Sequence, residues 1–230
     1  AQKQFSASAA HELRTPLAVM QTNLEVFARK KTPTIEEYQD IFGMIQNQTE
    51  RLSHLSEVLL DMTGIQSVER SDFISLAELT DEVCCDLASI ADQKKVELIQ
   101  EEGDCTVTGS YLLLYRAVYN LVENAIKYNH SGGKVTVKIS QKKDLPAAHS
   151  KPTDYALVEV TDTGIGISPE FQEKIFDPFF RVDKSRSRAM GGAGLGLALV
   201  NEIARQHGGQ VKVLASSEQG STIALVVPLS

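Results

Sequence analysis

The chain has 230 residues, 42% of them apolar and 23% charged, which suits one medium or two small globular domains with real cores and excludes a disordered or fibrous protein. Its formal net charge of -7 argues against a general affinity for nucleic acid, which needs clustered Lys and Arg, so any anion it binds must be met by local positive charge. Three cysteines, two of them the adjacent pair Cys84 and Cys85, give no disulfide framework and no metal-ligand spacing, and read as small buried hydrophobes in a reducing compartment.

Residues 1 to 66 carry two heptad-like patterns. Leu13, Leu17, Met20, Leu24 and Phe27 recur at spacings of 4, 3, 4 and 3. After the break KKTPT the rhythm resumes with Tyr38, Ile41, Ile45, Gln48, Leu52, Leu55, Leu59 and Met62. The pattern predicts a helical hairpin. Two helices with narrow apolar seams bury too little alone, so two hairpins are expected to pair as a four-helix bundle, making a homodimer. Continuing the heptad backwards places Ser6 and Ala10 on the seam and leaves His11 just off it, exposed. The stretch HELRT is not a zinc-protease helix, which needs a second histidine at i+4, because that position is Thr15. Pro16 removes the N–H that would bond the carbonyl of Glu12, and is expected to bend the helix beside His11.

After the turn-like GIQSVERSD, residues 68 to 230 mix helix and strand. Short apolar runs (VELI, VTVKI, YALVEV, VKVL, TIALVV) predict strands, interleaved with helices near 76 to 93, 110 to 129 and 195 to 207. SQKKDLPAAHSKPTD reads as a long hairpin loop, and SPEFQEKIFDPFFRVDKSRSRAMGGAG as a mobile segment rich in charge and glycine. No apolar run approaches the roughly 20 residues of a membrane span. Because Ala1 starts almost inside a helix and without Met, the sequence reads as the cytoplasmic portion of a longer, membrane-anchored protein.

Three stretches carry the chemistry. On YLLLYRAVYNLVENAIKYN, Leu114, Val118, Leu121 and Ala125 share one helical face, while Asn120, Asn124 and Lys127 share another. Asn is a mediocre helix former, so two in a stripe with Lys point to ligand contacts, although a solvated polar face would look the same. In VTDTGIGI a strand runs into Asp162, whose carboxylate can accept from an exocyclic amine, and Gly164 and Gly166 let backbone approach a flat ligand. In GGAGLGLALV a glycine-rich loop opens a helix and offers unpaired N–H groups to phosphate. No strand precedes it, which excludes a dinucleotide fold, and no G-K-[ST] ends it, which excludes a P-loop. Arg181, Lys184, Arg186 and Arg188 supply the local positive charge.

In this order the stretches resemble the catalytic core of the sensor histidine kinases of two-component signalling. FSASAAHELRTPL is similar to the family's histidine box, NLVENAIKY to its asparagine box, DTGIGI and GGAGLGLAL to its two glycine boxes, and IFDPFFRVDKSRSR to its phenylalanine box and ATP lid. The resemblance spans nearly the whole chain. It implies a dimerisation and phosphotransfer hairpin over residues 1 to 66 and an α/β sandwich ATP-binding domain of the GHKL type over 68 to 230.

The resemblance also implies roles. His11 is the phosphoacceptor and Glu12 its proton acceptor and hydrogen-bond partner; Thr15, one turn after His11 on the same face, is a candidate to hold a water that removes phosphate from the partner's aspartate. Asn120 and Asn124 hold Mg²⁺ and phosphates, with Glu123 near the metal and Lys127 on phosphate. Tyr128 lies near the adenine, Asp162 binds its amino group, and Gly164 and Gly166 line its pocket. Gly192, Gly194 and Gly196 form the lid hinge and phosphate turn, and Arg181, Lys184 and Arg186 are lid candidates for the terminal phosphate. Ala10 and Ala193 depart from the family's frequent Ser and Thr. The implied activity is ATP-dependent autophosphorylation of His11 and transfer to an aspartate of a response regulator, joined by phosphatase activity. A pocket of this type also serves ATP-gated chaperone-like or DNA-repair clamps, and HELRTPL on a dimerising hairpin is the feature such machines do not need.

Overall fold

The computed structural model describes residues 2–142, 154–182 and 194–229. Helices α1 (Gln2–Ala28) and α2 (Ile35–Gly64) form the expected hairpin. Its turn is written locally. Thr34 Oγ1 accepts the Glu37 N–H at 3.3 Å and the Glu37 carboxylate accepts the Thr34 N–H at 3.0 Å, a reciprocal cap that starts α2. Phe27 meets Tyr38 edge-on across the turn, with ring centroids 5.0 Å apart.

The predicted stripe on α1 divides in two. Leu13, Met20 and Phe27, seven residues apart, are half-buried, whereas Leu17 and Leu24 are 46% and 44% exposed. Val19, Val26 and, on α2, Phe42 and Leu60 are exposed as well. Ala9 is buried, whereas Ala10 is exposed in register with Leu17 and Leu24, seven residues apart. The side chain of Ser6 lies outside the described residues. His11 is exposed, as expected.

The rest is a two-layer α/β sandwich. Strands β2 (Glu97–Gln100), β4 (Lys134–Lys142), β5 (Tyr155–Asp162), β6 (Gln210–Ser217) and β7 (Gly220–Pro228) form one sheet in the order β2-β4-β5-β7-β6. The pair β2–β4 is parallel and the other pairs are antiparallel. Period-two alternation turns Val135, Val137 and Ile139 of β4, Val158 and Val160 of β5, and Leu225 and Val227 of β7 into the main core. Leu157, Ala224 and Val226 form a small cluster on the other face with Tyr155.

Helices α3 (Leu76–Lys94), α4 (Tyr111–Lys127) and α5 (Gly196–Gln206) cover the core face. Ser75 caps α3 by accepting the Glu78 N–H, and Lys95, with φ at 58°, turns the chain out of its C-terminus. His207, just past α5, bonds two helices at once. Its Nε2 accepts the Ser110 N–H at the start of α4 (3.0 Å), which leaves Nδ1 to donate to the Ile203 carbonyl (2.8 Å).

The structure adds to or corrects the sequence reading at four places. Strands β1 (Asp72–Ser75) and β3 (Thr106–Gly109), which pair antiparallel with each other, were not anticipated. The segment from Ser168 is not structureless, because two 3₁₀ turns, Pro169–Phe171 and Lys174–Phe176, bury Phe176 and bring the rings of Phe171 and Phe180 to 5.7 Å. Residues 143–153 and 183–193 of the two expected loops lie outside the described residues. Cys85 is exposed, and only Cys84 and Cys105 are half-buried; burial pushes the Cys84 thiol up to about 11. Finally, the two regions share one core: Leu55 and Val58 of α2 and Ile65 just after it are buried in the same cluster as Leu199 and Ile203 of α5.

Candidate active site

A cavity of about 500 Å³ opens between α4, the loop after β5, residues 175–182 and the start of α5. It is of the size that holds a small organic ligand. Asn120, Glu123, Asn124, Lys127, Tyr128, Asp162, Gly166, Arg181, Gly194 and Gly196 all line it, so the structure gathers most of the residues singled out from the sequence. Gly164 stands just behind, donating its N–H to Asp162 at 2.8 Å.

The α4 wall follows from helical period. Leu114, Val118, Leu121 and Ala125 are buried, which leaves Asn120, Asn124 and Lys127 to face the cavity. Asn120 commits its amide N–H to the Arg116 carbonyl one turn back, 2.8 Å away, and so presents its Oδ1. That oxygen sits where α5 begins: a Cβ on Gly196 would lie 2.6 Å from it, so a larger residue there would push the Asn120 amide aside. Burial lowers the Lys127 ammonium below its ordinary value, Glu123 opposes that shift, and the like charges of Arg181 and Lys94 reinforce it.

Asp162 is held at both oxygens. Oδ1 accepts the Gly164 N–H, and Oδ2 accepts the Ser221 hydroxyl at 2.6 Å. A carboxylate so fixed still has lone pairs to accept an amine. Ser221 was not singled out from the sequence. It reaches the site because β5 and β7 pair Asp162 with Ser221, a register that no local signal announces. Gly166 has φ at +67°, and a Cβ there would fall 1.8 Å from the Ser217 carbonyl, so the loop can pass β6 only as glycine.

The hairpin reaches the cavity. Val58 of α2 lines it, and Arg181, whose side chain is 6% exposed, lies with Nη1 3.9 Å from the carboxylate of Glu12. Arg51 of α2 approaches the same carboxylate oxygen at 3.4 Å. Glu12 is thus turned toward two guanidinium groups, one from its own hairpin and one from the cavity wall. Nothing in the sequence around Arg51 sets it apart from other polar helix residues. His11 and Thr15 lie in a second, shallow depression with Arg14, Ala18, Val19, Thr22 and Asn23. The Thr15 hydroxyl donates to the His11 carbonyl at 3.1 Å, which leaves its oxygen lone pairs for an outside donor. Lys184, Arg186, Arg188 and Gly192 lie outside the described residues.

Among the described residues no helix is long and apolar enough to cross a membrane. The family model for the His Kinase A (phospho-acceptor) domain matches residues 1–67, and that for the histidine kinase-, DNA gyrase B-, and HSP90-like ATPases matches residues 109–230. The chain is 32% identical to the sensor histidine kinase RppB of Synechocystis over 99% of its own length and 49% of that protein. It is 31% identical to the sensor histidine kinase WalK of Bacillus subtilis over 98% of its length and 36% of that protein, so it spans half or less of these relatives. The solved histidine kinase ThkA shares the fold, with a TM-score of 0.72 at 23% identity over 99% of this chain and 61% of that one. The chain belongs to the sensor histidine kinases, joining a phospho-acceptor domain to an ATPase domain of the gyrase B and HSP90 kind.

Proposed function

We propose that ATP held in the cavity gives its γ-phosphoryl group to His11, and that the phosphohistidine passes it to an aspartate in the receiver domain of a response regulator. The observation that carries this reading is the contact between Arg181, which lines the cavity, and Glu12, the neighbour of His11, at 3.9 Å. One ion pair joins the nucleotide site to the phosphoacceptor helix.

A neutral imidazole nitrogen of His11 forms the new P–N bond as the bond from the γ-phosphorus to the β,γ-bridging oxygen breaks, and ADP leaves with that electron pair. The proton on the other ring nitrogen goes to Glu12, whose carboxylate also fixes the tautomer. Arg51 and Arg181 both approach that carboxylate, at 3.4 and 3.9 Å. Asp162 selects adenine, Tyr128 packs near it, and Gly164 and Gly166 let the loop lie close. Asn120, Asn124 and Lys127 take the phosphates, with Gly194 and Gly196 as the turn and with Lys184, Arg186 and Gly192 as further lid contributors. The oxygen presented by Asn120 suits a hard cation, and Mg²⁺, held by Asn124 and Glu123 with the phosphates, would neutralise phosphate charge.

Residues 1–66 act as the phosphotransfer and dimerisation domain and 68–230 as the ATP-binding domain. The exposed Leu17, Leu24 and Phe42 support pairing of two hairpins. The response regulator is supported by ThkA, solved in complex with the response regulator TrrA. The chain is the cytoplasmic part of a membrane-anchored sensor, in keeping with relatives named as sensor kinases that are twice its length or more.

Thr15 gives the protein a phosphatase activity by accepting a hydrogen bond from the water that attacks the regulator's phospho-aspartate. Thr15→Ala is expected to keep autophosphorylation while slowing dephosphorylation at least tenfold, about 1.4 kcal/mol in the barrier; a parallel fall in both would make Thr15 structural. The main reading is tested by supplying Mg-ATP labelled at its γ-phosphate and then a purified receiver domain. Label should enter the chain and pass to the receiver, and a chain that takes up no label overturns the reading.

A further inference from the structure

Lys94 does not line the cavity, yet its ammonium group donates to the backbone carbonyl of Lys127, the last residue of α4. The next carbonyl, that of Tyr128, accepts the Ile165 N–H of the glycine loop at 3.3 Å. The end of α4 is therefore tied from two sides, by α3 through Lys94 and by the adenine-side loop through Ile165. A helix C-terminus concentrates partial negative charge on such carbonyls. An ATP polyanion beside α4 meets that charge unless a cation covers it.

We propose that Lys94 is a positioning residue for the phosphate end of the nucleotide, acting through Lys127 and specific to nucleotides that carry phosphates. This rests on the reading of the cavity as an ATP site. The residue whose carbonyl Lys94 grips is the one whose ammonium enters the cavity, so Lys94 sets where the Lys127 side chain starts. Its charge also offsets the negative end of α4. Around Lys127 the structure gathers the cations Lys94 and Arg181 and the carboxylate of Glu123, and burial disfavours the charged form of both lysines. Lys94, Lys127 and Arg181 outnumber the carboxylates of Glu123 and Glu12 that face them, and a phosphate chain brings negative charge there that a bare nucleoside does not.

The test measures binding of Mg-ADP and of adenosine to the full chain by competition against a fluorescent ATP analogue, for wild type, Lys94→Met and Lys94→Arg. Lys94→Met is expected to weaken ADP about tenfold and adenosine less than twofold, while Lys94→Arg, which keeps charge and donor, stays within about threefold of wild type for both. A purely structural Lys94 would weaken both ligands by one factor, and that result overturns the proposal, as does ADP binding unchanged in Lys94→Met. If Lys94→Met does not fold, Lys94→Gln is measured in its place: tenfold loss of ADP with adenosine within twofold supports the proposal, and equal loss of both ligands or unchanged ADP overturns it. A wild-type chain that displaces the analogue with neither ligand overturns the ATP site itself, and the role of Lys94 with it.

Discussion

The two regions use the same apolar patterning to opposite ends. In the sandwich the main apolar stripes find their partners within the chain, so Val135, Val158, Ile203 and Leu225 are fully buried. In the hairpin only one side of the stripe does so, and Leu17, Leu24 and Phe42 stay exposed. A nucleotide site needs a closed, dry wall in which Asn, Asp and Lys groups are held in place and electrostatic interactions are strong. A phosphoacceptor histidine needs the reverse, since it must be reached first by ATP and then by another protein. The seam between the regions is where Leu55, Val58 and Ile65 enter the sandwich core and Arg181 reaches Glu12.

This contrast can be broken by paired substitutions. Leu24→Asp acts twice around the twofold axis of a dimer, and losing that burial in both copies is expected to cost roughly 3–6 kcal/mol of association, giving a monomer by light scattering at micromolar concentration. Its ATP affinity should stay within about twofold. Ile203→Ala should instead cost roughly 2–5 kcal/mol in urea unfolding of the sandwich. A dimer that survives Leu24→Asp would remove the distinction.

Within the sandwich, Asp162→Asn keeps the shape of the site but exchanges one acceptor oxygen for a donor. Loss of a hydrogen bond to a charged group is worth about 1.5–3 kcal/mol, so ATP binding by calorimetry should weaken roughly ten- to hundredfold. Equal affinity would move the adenine elsewhere.

A smaller effect separates the regions by pH. Burial, and secondarily the nearby Arg70, holds the His207 imidazole below its ordinary value of 6.5, against the opposing bond to Ile203. The unfolded chain therefore binds the extra proton first as pH falls. Stability from His207 is fully present above about pH 6.5 and is lost as pH drops below it, with a slope of at most about 1.4 kcal/mol per pH unit. Replacing His207 by Gln should flatten that part of the unfolding profile, and an unchanged profile would assign the acid sensitivity to other groups.

Much of this organisation was legible because it is periodic. The hairpin follows from its heptads, α3 and α4 fall within two residues of their expected limits, and the Asn120, Asn124 and Lys127 stripe follows from the 3.6-residue turn. What escaped is non-local. DFIS and TVTG are too short to show alternation and become strands only by pairing across some thirty residues of chain. Ser221 matters because strand register sets it opposite Asp162. Arg51 and Val58 matter because α2 is laid against the sandwich, and nothing in their own neighbourhoods records that. Phe176 looked like part of a charged, flexible stretch and is instead buried, since two 3₁₀ turns fold it inward.

Whether His11 receives the phosphoryl group is settled by incubating the chain with Mg-ATP labelled at the γ-phosphate and following the label after denaturation. It should be lost in acid and retained in base, as a phosphoramidate is, and it should be absent from His11→Gln while that variant binds ATP like wild type. Undiminished labelling of His11→Gln, or label that survives acid, would contradict the assignment and place the acceptor on another residue.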